Sequence, residues 1–222
     1  MKYSNNQIYH IYNQGNNKRK VFHSRENYEY FLFKLRGMIT PFGDLVAYCL
    51  MPNHYHLLFF IRSKEITKEE YYNSVFIAES KRRKYKFGSK AIPVQKKVLT
   101  KSKSEETITI NTALGQLQKS YTRAINNEKN WSGSLFRARL KAKDGQIHDF
   151  VSMEVENGKE KFDFSNRYAA NCLRYIHHNP VEAGLVRRPE DYEWSSAKEY
   201  KGLRKGTLCN LEIGKALIAI GE

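Results

Sequence analysis

Two histidines separated by one residue, His54 and His56, are the sharpest chemical feature of the chain. They open HYHLLFFI (54–61), an apolar run of strand length. On a strand, side chains at i and i+2 share a face, so both imidazoles can converge on one ion. The plainer alternative is a pair of buried, hydrogen-bonded histidines. Apolar runs on both sides mark an interior strand, where paired polar rings need a reason to exist. Imidazole suits Mn, Zn and other first-row ions better than Mg, which prefers oxygen. Oxygens of a phosphate and of water would complete such a site, and the ion would act as a Lewis acid on a phosphoryl oxygen.

A nucleophile is the second requirement. The chain has 15 tyrosines, most of which must be structural. Tyr121 lies on the stripe Leu114, Leu117, Tyr121, Ile125 of a predicted helix, so ordinary core packing is the alternative to a covalent role. A phenol has an unperturbed pKa near 10 and needs a nearby metal or cation to ionise at neutral pH. His177 and His178 diverge on a helix, which suits capping or a DNA contact better than a second metal site. His10, on a neighbouring strand, reads as a core group or a support for a ligand.

These residues must be positioned by an α+β plan. Residues 7–13 alternate as a strand. Ser24 caps a helix carrying Tyr28, Phe31, Leu32, Leu35, Met38 and Ile39 on one face, with Glu26 in its first turn and Pro41 and Gly43 at its end. Residues 44–51 and 54–61 are strands joined at Pro52-Asn53. Residues 111–126 form the Tyr121 helix. Residues 134–143 alternate as a strand with Arg137, Arg139 and Lys141 on one face. Residues 155–165 read as a polar loop, and Ala169, Cys172, Leu173 and Ile176 mark a further helix. Asn179-Pro180 reads as a stop and restart with Asn179 as N-cap, and a short helix closes the tail. The whole, 1–222, is expected to be one domain with a basic insertion at about 62–107 and a helical extension from about 165.

Lys plus Arg total 38 against 23 Asp plus Glu, a net charge of +15. Such an excess favours a polyanionic partner, because neutralised phosphates release condensed counterions. Residues 80–104 carry ten basic and no acidic side chains. They read as a solvated insertion or a DNA-gripping arm led by Lys81, Arg82, Arg83 and Lys84. Cys49, Cys172 and Cys209 form no CxxC pair, which fits small core residues in a reducing cytoplasm. No apolar run approaches the roughly 18 residues of a membrane span, and no membrane partner is expected.

Six blocks then occur in a specific order: YHIYN (9–13), LMPNHYHLL (50–58), KSYTR (119–123), GSLFRAR (133–139), YIHHNPVEAGLV (175–186) and YEWSS (192–196). Together they resemble the transposase-like family containing REP-associated tyrosine transposases, relatives of the HUH insertion-sequence transposases. The resemblance implies a ferredoxin-like antiparallel sheet with helices on one face and the two histidines on a central strand. It implies Mg or Mn, and Tyr121 joined covalently to a 5′ phosphate with release of a 3′ hydroxyl. Some relatives place a third metal ligand one helical turn after the tyrosine. Here that position is Ile125, which cannot coordinate, and Asn126 is the nearest polar candidate. Arg123, Arg137, Arg139 and Lys141 are the expected DNA contacts beside the four of the insertion. The expected partner is single-stranded or hairpin DNA, bound by a monomer or homodimer. Two other readings stay open: a domesticated DNA-binding protein that no longer cuts, and a replication or transfer initiator using the same chemistry.

Overall fold

The computed structural model describes residues 3–138, 140–144, 151–156, 159–164 and 167–220. In chain order the elements are β1 (Gln7–Gln14), α1 (Arg25–Met38), β2 (Gly43–Met51), β3 (His54–Ile61), β4 (Glu65–Thr67) and α2 (Lys68–Phe87). There follow α3 (Lys101–Glu105), β5 (Thr107–Thr109), α4 (Ile110–Lys129), β6 (Lys141–Asp144), β7 (Val151–Glu156) and β8 (Lys159–Phe164). The chain ends with α5 (Tyr168–Glu182), α6 (Ala197–Tyr200) and α7 (Leu211–Ile220). These elements fall into two compact units. One comprises His23–Gly43 and Ser63–Gly133; the other comprises the described residues of Lys2–Phe22, Asp44–Arg62 and Ser134–Glu222.

The second unit holds a four-stranded sheet in the order β2-β3-β1-β6. β1 runs antiparallel to β3, from Gln7↔Ile61 to Gln14↔His54, and antiparallel to β6, with Tyr9 opposite Asp144 and Tyr12 opposite Lys141. This is the ferredoxin-like order, and it makes the histidine-bearing β3 an interior strand. Every residue from Tyr55 to Ile61 is buried, on both faces of the strand. The even-numbered face joins Ile8, Leu58 and Phe60 to Leu173 and Ile176 of α5 and to Ile213 and Leu217 of α7. Burying side chains of this size stabilises by roughly 1.5–3 kcal/mol each.

The YEWSS block lies along β2. Leu50 N–H donates to Trp194 O at 2.8 Å, Tyr192 Oη donates to Leu50 O at 2.9 Å, and Tyr200 Oη donates to Val46 O at 2.7 Å. These bonds satisfy groups that an edge strand would otherwise present to solvent or to another chain. His177 completes the clamp. It is buried, and its Nε2 meets Ser196 Oγ at 2.9 Å. Burial, and secondarily the charge of His178, holds its pKa down to about 4. It is therefore a structural link and not the cap or DNA contact expected from sequence. His178 is exposed, with Nδ1 facing Arg174 O.

In the first unit the β4–β5 ribbon pairs Ile66 with Ile108 and launches two helices. Thr67 caps α2 by accepting from Glu70 N–H at 3.2 Å, and Thr109 caps α4 by accepting from Thr112 N–H at 3.3 Å. Both are threonine N-caps of the ordinary kind. Gly37 lets α1 and α2 approach closely, since a Cβ there would lie 2.7 Å from Ala78 Cβ. Ser24 does begin α1, with Asn27 Oδ1 accepting its N–H at 3.3 Å.

Four local expectations change. Residues 80–87 of the basic stretch are the last turns of α2. The strand expected over 134–143 is confined to β6. Leu135 and Phe136 are both buried and break the alternation, with an isolated bridge from Gly15 to Phe136. The loop expected over 155–165 instead holds the last two residues of β7 and the whole of β8, which pair antiparallel. Finally, α5 runs through Pro180 without interruption. Pro180 has no N–H to donate to the carbonyl four residues back, so the helix goes without that one bond and ends two residues later.

Candidate active site

β3 places His54 and His56 on one face, with ring centroids 4.9 Å apart. The helix seated on this face in the second unit is α5. Two of its residues, Tyr175 and Asn179, lie one turn apart on the same side. The Tyr175 ring meets His56 edge-on at 5.4 Å and His10 at 5.9 Å. Tyr175 is nevertheless 43% exposed, and it lines a cavity at the histidine pair. A cavity of about 190 Å³ is lined by Tyr12, Asn13, Gln14, His54, His56, Arg137, Lys141 and Tyr175. Arg137 is held beside β1 by its backbone. Its N–H donates to Gln14 O at 2.9 Å, and its carbonyl accepts from Asn13 Nδ2 at 3.1 Å. Lys141 enters through its pairing with Tyr12.

The polar atoms of this site are unbalanced in an informative way. His56 is buried, and its Nδ1 lies 2.8 Å from Nε2 of His10, a diagonal neighbour across β1 and β3. Its other nitrogen, Nε2, is buried with no hydrogen-bond partner. Burial, with the neighbouring His10 and His54 rings adding to it, depresses the pKa of His56 to about 2, so the ring is neutral. His54 is also held below the usual imidazole range, chiefly by burial. Its Nδ1 faces Asn53 Oδ1 at 2.6 Å and its Nε2 faces Asn179 Oδ1 at 3.0 Å. A neutral imidazole has one N–H and cannot donate to both oxygens. With the proton at Nδ1, a nitrogen lone pair and an amide oxygen lone pair face each other. That contact is relieved either by turning the Asn179 NH2 toward the ring or by a cation which both can coordinate, and the orphaned Nε2 of His56 is a further nitrogen donor beside it. Among the described residues no three His, Cys, Asp or Glu side chains form a metal-holding group; the Asn179 amide oxygen, facing His54 Nε2, is a further donor at the pair.

Tyr121 has different surroundings. It is fully buried in the first unit, with Phe31 edge-on at 5.2 Å and Tyr30 stacked at 6.1 Å. Burial drives its pKa far above the ordinary phenol value. A phenol that is both enclosed and hard to ionise is poorly placed to attack a phosphate, so the core-packing alternative weighed above fits its environment. Tyr121→Phe should leave any DNA cleavage within about twofold, whereas Tyr121→Ala should cost about 3–5 kcal/mol in denaturant unfolding. Asn126, on the same helix, donates through Nδ2 to Gly133 O at 2.9 Å. Both residues belong to the first unit and the histidines to the second.

The expected DNA contacts divide. Arg137 and Lys141 line the histidine cavity, and Arg139 lies outside the described residues. Arg123, Lys81 and Lys84 are exposed on their helices. Arg82 and Arg83 both pair with Glu79, at 2.6 and 3.3 Å. Sequence reasoning passed over Tyr175 and Asn179, although both stand in the YIHHNPVEAGLV block. Their i, i+4 spacing was the available signal, and reading Asn179-Pro180 as a helix boundary concealed it.

No protein-family model matches the chain, and no curated protein matches it. Among solved structures, a REP-associated tyrosine transposase bound to a REP hairpin aligns with a TM-score of 0.51 at 10% identity, covering 95% of this chain and 94% of that one. No described helix is long and apolar enough to cross a membrane. The chain therefore has the α+β fold of a REP-associated tyrosine transposase, with its paired histidines on an interior strand of the antiparallel sheet.

Proposed function

We propose that the chain is a metal-assisted DNA strand transferase of the single-tyrosine type, with Tyr175 as the nucleophile and His54, His56 and Asn179 as the metal set. The observation that carries this reading is the convergence of a half-exposed tyrosine with the orphaned His56 Nε2 and the His54–Asn179 contact. The fold it shares with a REP-associated transposase supports the same reaction class by analogy.

In this reaction the Tyr175 phenolic oxygen attacks a backbone phosphorus and gives up its proton. The bond from phosphorus to the 3′ oxygen breaks, and that oxygen leaves as a hydroxyl after taking a proton. The product is a 5′-phosphotyrosine ester. It keeps the phosphodiester bond energy, so another 3′ hydroxyl can reverse the step and join strands. A divalent ion, Mg or Mn, would supply Lewis-acid polarisation of the phosphoryl oxygen. Arg137 and Lys141 offset phosphate charge from the cavity wall. A cytoplasmic setting fits the three free cysteines.

His10 is the positioning residue of this scheme. For His56 to offer a lone pair at Nε2, its proton must sit on Nδ1 and be donated to His10 Nε2. Partners of this kind orient metal-binding imidazoles and typically account for 10- to 100-fold in affinity or activity. His10→Phe should lower Mn affinity by about 10- to 100-fold in calorimetry, and His10→Gln, whose amide oxygen can accept the same proton, should recover most of it. Equal affinity in the wild type and His10→Phe would remove His10 from the scheme.

The test of function is incubation with Mn and labelled single strands, followed by denaturing electrophoresis. A metal-dependent covalent protein–DNA band is expected. DNA binding with no such band under any metal would leave the domesticated binder. Covalent cutting without joining of a second 3′ end would leave the initiator.

A further inference from the structure

We propose that the cavity lined by α1, α2 and α4 in the first unit binds an unstacked nucleobase of single-stranded DNA. The choice of ligand rests on the function proposed above; the site itself does not. The cavity has a volume of about 590 Å³, and the rings of Tyr30, Phe33 and Tyr85 contribute to its wall. Tyr85 lies 5.9 Å from Phe33 yet is 71% exposed, so most of a ring is offered to solvent at the end of α2. Packing alone does not explain so exposed an aromatic. The Arg82 guanidinium lies over the Tyr30 ring at 5.2 Å. Glu79 holds it there through Nε at 3.0 Å and Nη2 at 2.6 Å. A fixed cation over a ring makes a planar platform of the kind on which bases stack.

The polar lining assigns the two ends of a nucleotide. Glu26 and Glu128 contribute carboxylates to the cavity, and Glu128 is steadied by Asn27 Nδ2 at 2.7 Å. Carboxylates accept from the exocyclic amino group of a base such as cytosine and repel a phosphate. The base therefore enters and the backbone stays outside. Lys86 also lines the cavity, and Lys81 and Lys84 are exposed on the same helix to meet the backbone. The run KRRKYKF (81–87) thus brings the cations Lys81, Lys84 and Lys86 together with the exposed rings Tyr85 and Phe87. A base within a duplex already has both faces covered, so the pocket should select single strands.

Stacking and counterion release respond differently to salt, which gives the test. Labelled dC and dT oligonucleotides and a matching duplex are titrated with the full chain by fluorescence anisotropy over a range of salt. Tyr85→Ala should weaken single-strand binding by about five- to a hundredfold while leaving the salt slope and the duplex affinity unchanged. Lys81→Ala with Lys84→Ala should instead flatten the slope by roughly 0.7 per lost phosphate contact. The oligonucleotide dC should bind more tightly than dT, and Glu26→Ala with Glu128→Ala, which removes both acceptors, should erase that preference. Unchanged single-strand affinity in Tyr85→Ala, an equal loss on single strand and duplex, or no single-strand binding by the wild type would each overturn the pocket. Because anisotropy needs no cleavage, Tyr85-dependent binding without a covalent adduct would keep the pocket and remove the enzyme. An adduct without Tyr85 dependence would do the reverse.

Discussion

Tyr175→Phe should abolish the covalent DNA adduct and reduce cleavage by roughly 10⁴-fold or more, the scale on which removal of a nucleophile acts. The substitution deletes one oxygen from a ring that is 43% exposed. The edge contacts with His56 and His10 are made by the ring and should survive. Stability should therefore change by no more than about 0.5 kcal/mol, as for surface substitutions generally. Affinity for uncleaved single strands should stay within about twofold, because Arg137, Lys141 and the α2 cations are untouched. Quantified denaturing gels, with denaturant unfolding and anisotropy on the same preparation, would separate these outcomes. Cleavage by Tyr175→Phe at the wild-type rate would mean that another group, or a metal-activated water, makes the attack.

The second large effect is expected at His56. His56→Ala removes the buried Nε2 that has no partner and also strips His10 of its 2.8 Å contact. Loss of a partner behind a ligand costs 10- to 100-fold in metal affinity, so loss of the ligand itself should cost at least about 100-fold, with cleavage falling in step. Excess Mn should restore only part of the rate. The fold should weaken by about 1–3 kcal/mol, from the cavity and from the polar group left unsatisfied. Calorimetric Mn affinity equal to that of the wild type would show that the imidazole pair is structural.

Much of this arrangement was legible in the residues. The period of HYHLLFFI placed two histidines on one face of an interior strand, and the Pro52-Asn53 corner placed that strand beside β2. The YHIYN strand was read correctly, but not its register, and it is the register that sets His10 against His56. Tyr121 attracted attention because its helical stripe is regular. That regularity is the signature of a core position, and its burial bears this out. Tyr175 was harder to see, because a residue at the boundary of a buried face carries no period of its own. Asn179 was obscured by Pro180, since a proline ordinarily ends or restarts a helix and here stands near the end of one. The β7–β8 pair escaped because β8 opens on three consecutive charged residues, Lys159, Glu160 and Lys161, which read as polar loop, although Val151, Met153 and Val155 keep a period of two in β7.

The central claim is that Tyr175, whose ring packs against His56, makes the bond to DNA. Its most direct test is the site of attachment: the wild-type chain is trapped with Mn and a labelled single strand, digested, and the DNA-bearing peptide sequenced. The account predicts a single 5′-phosphotyrosine at Tyr175, within the peptide containing YIHHNPVEAGLV. A phosphotyrosine at Tyr121 or at any other tyrosine would contradict it.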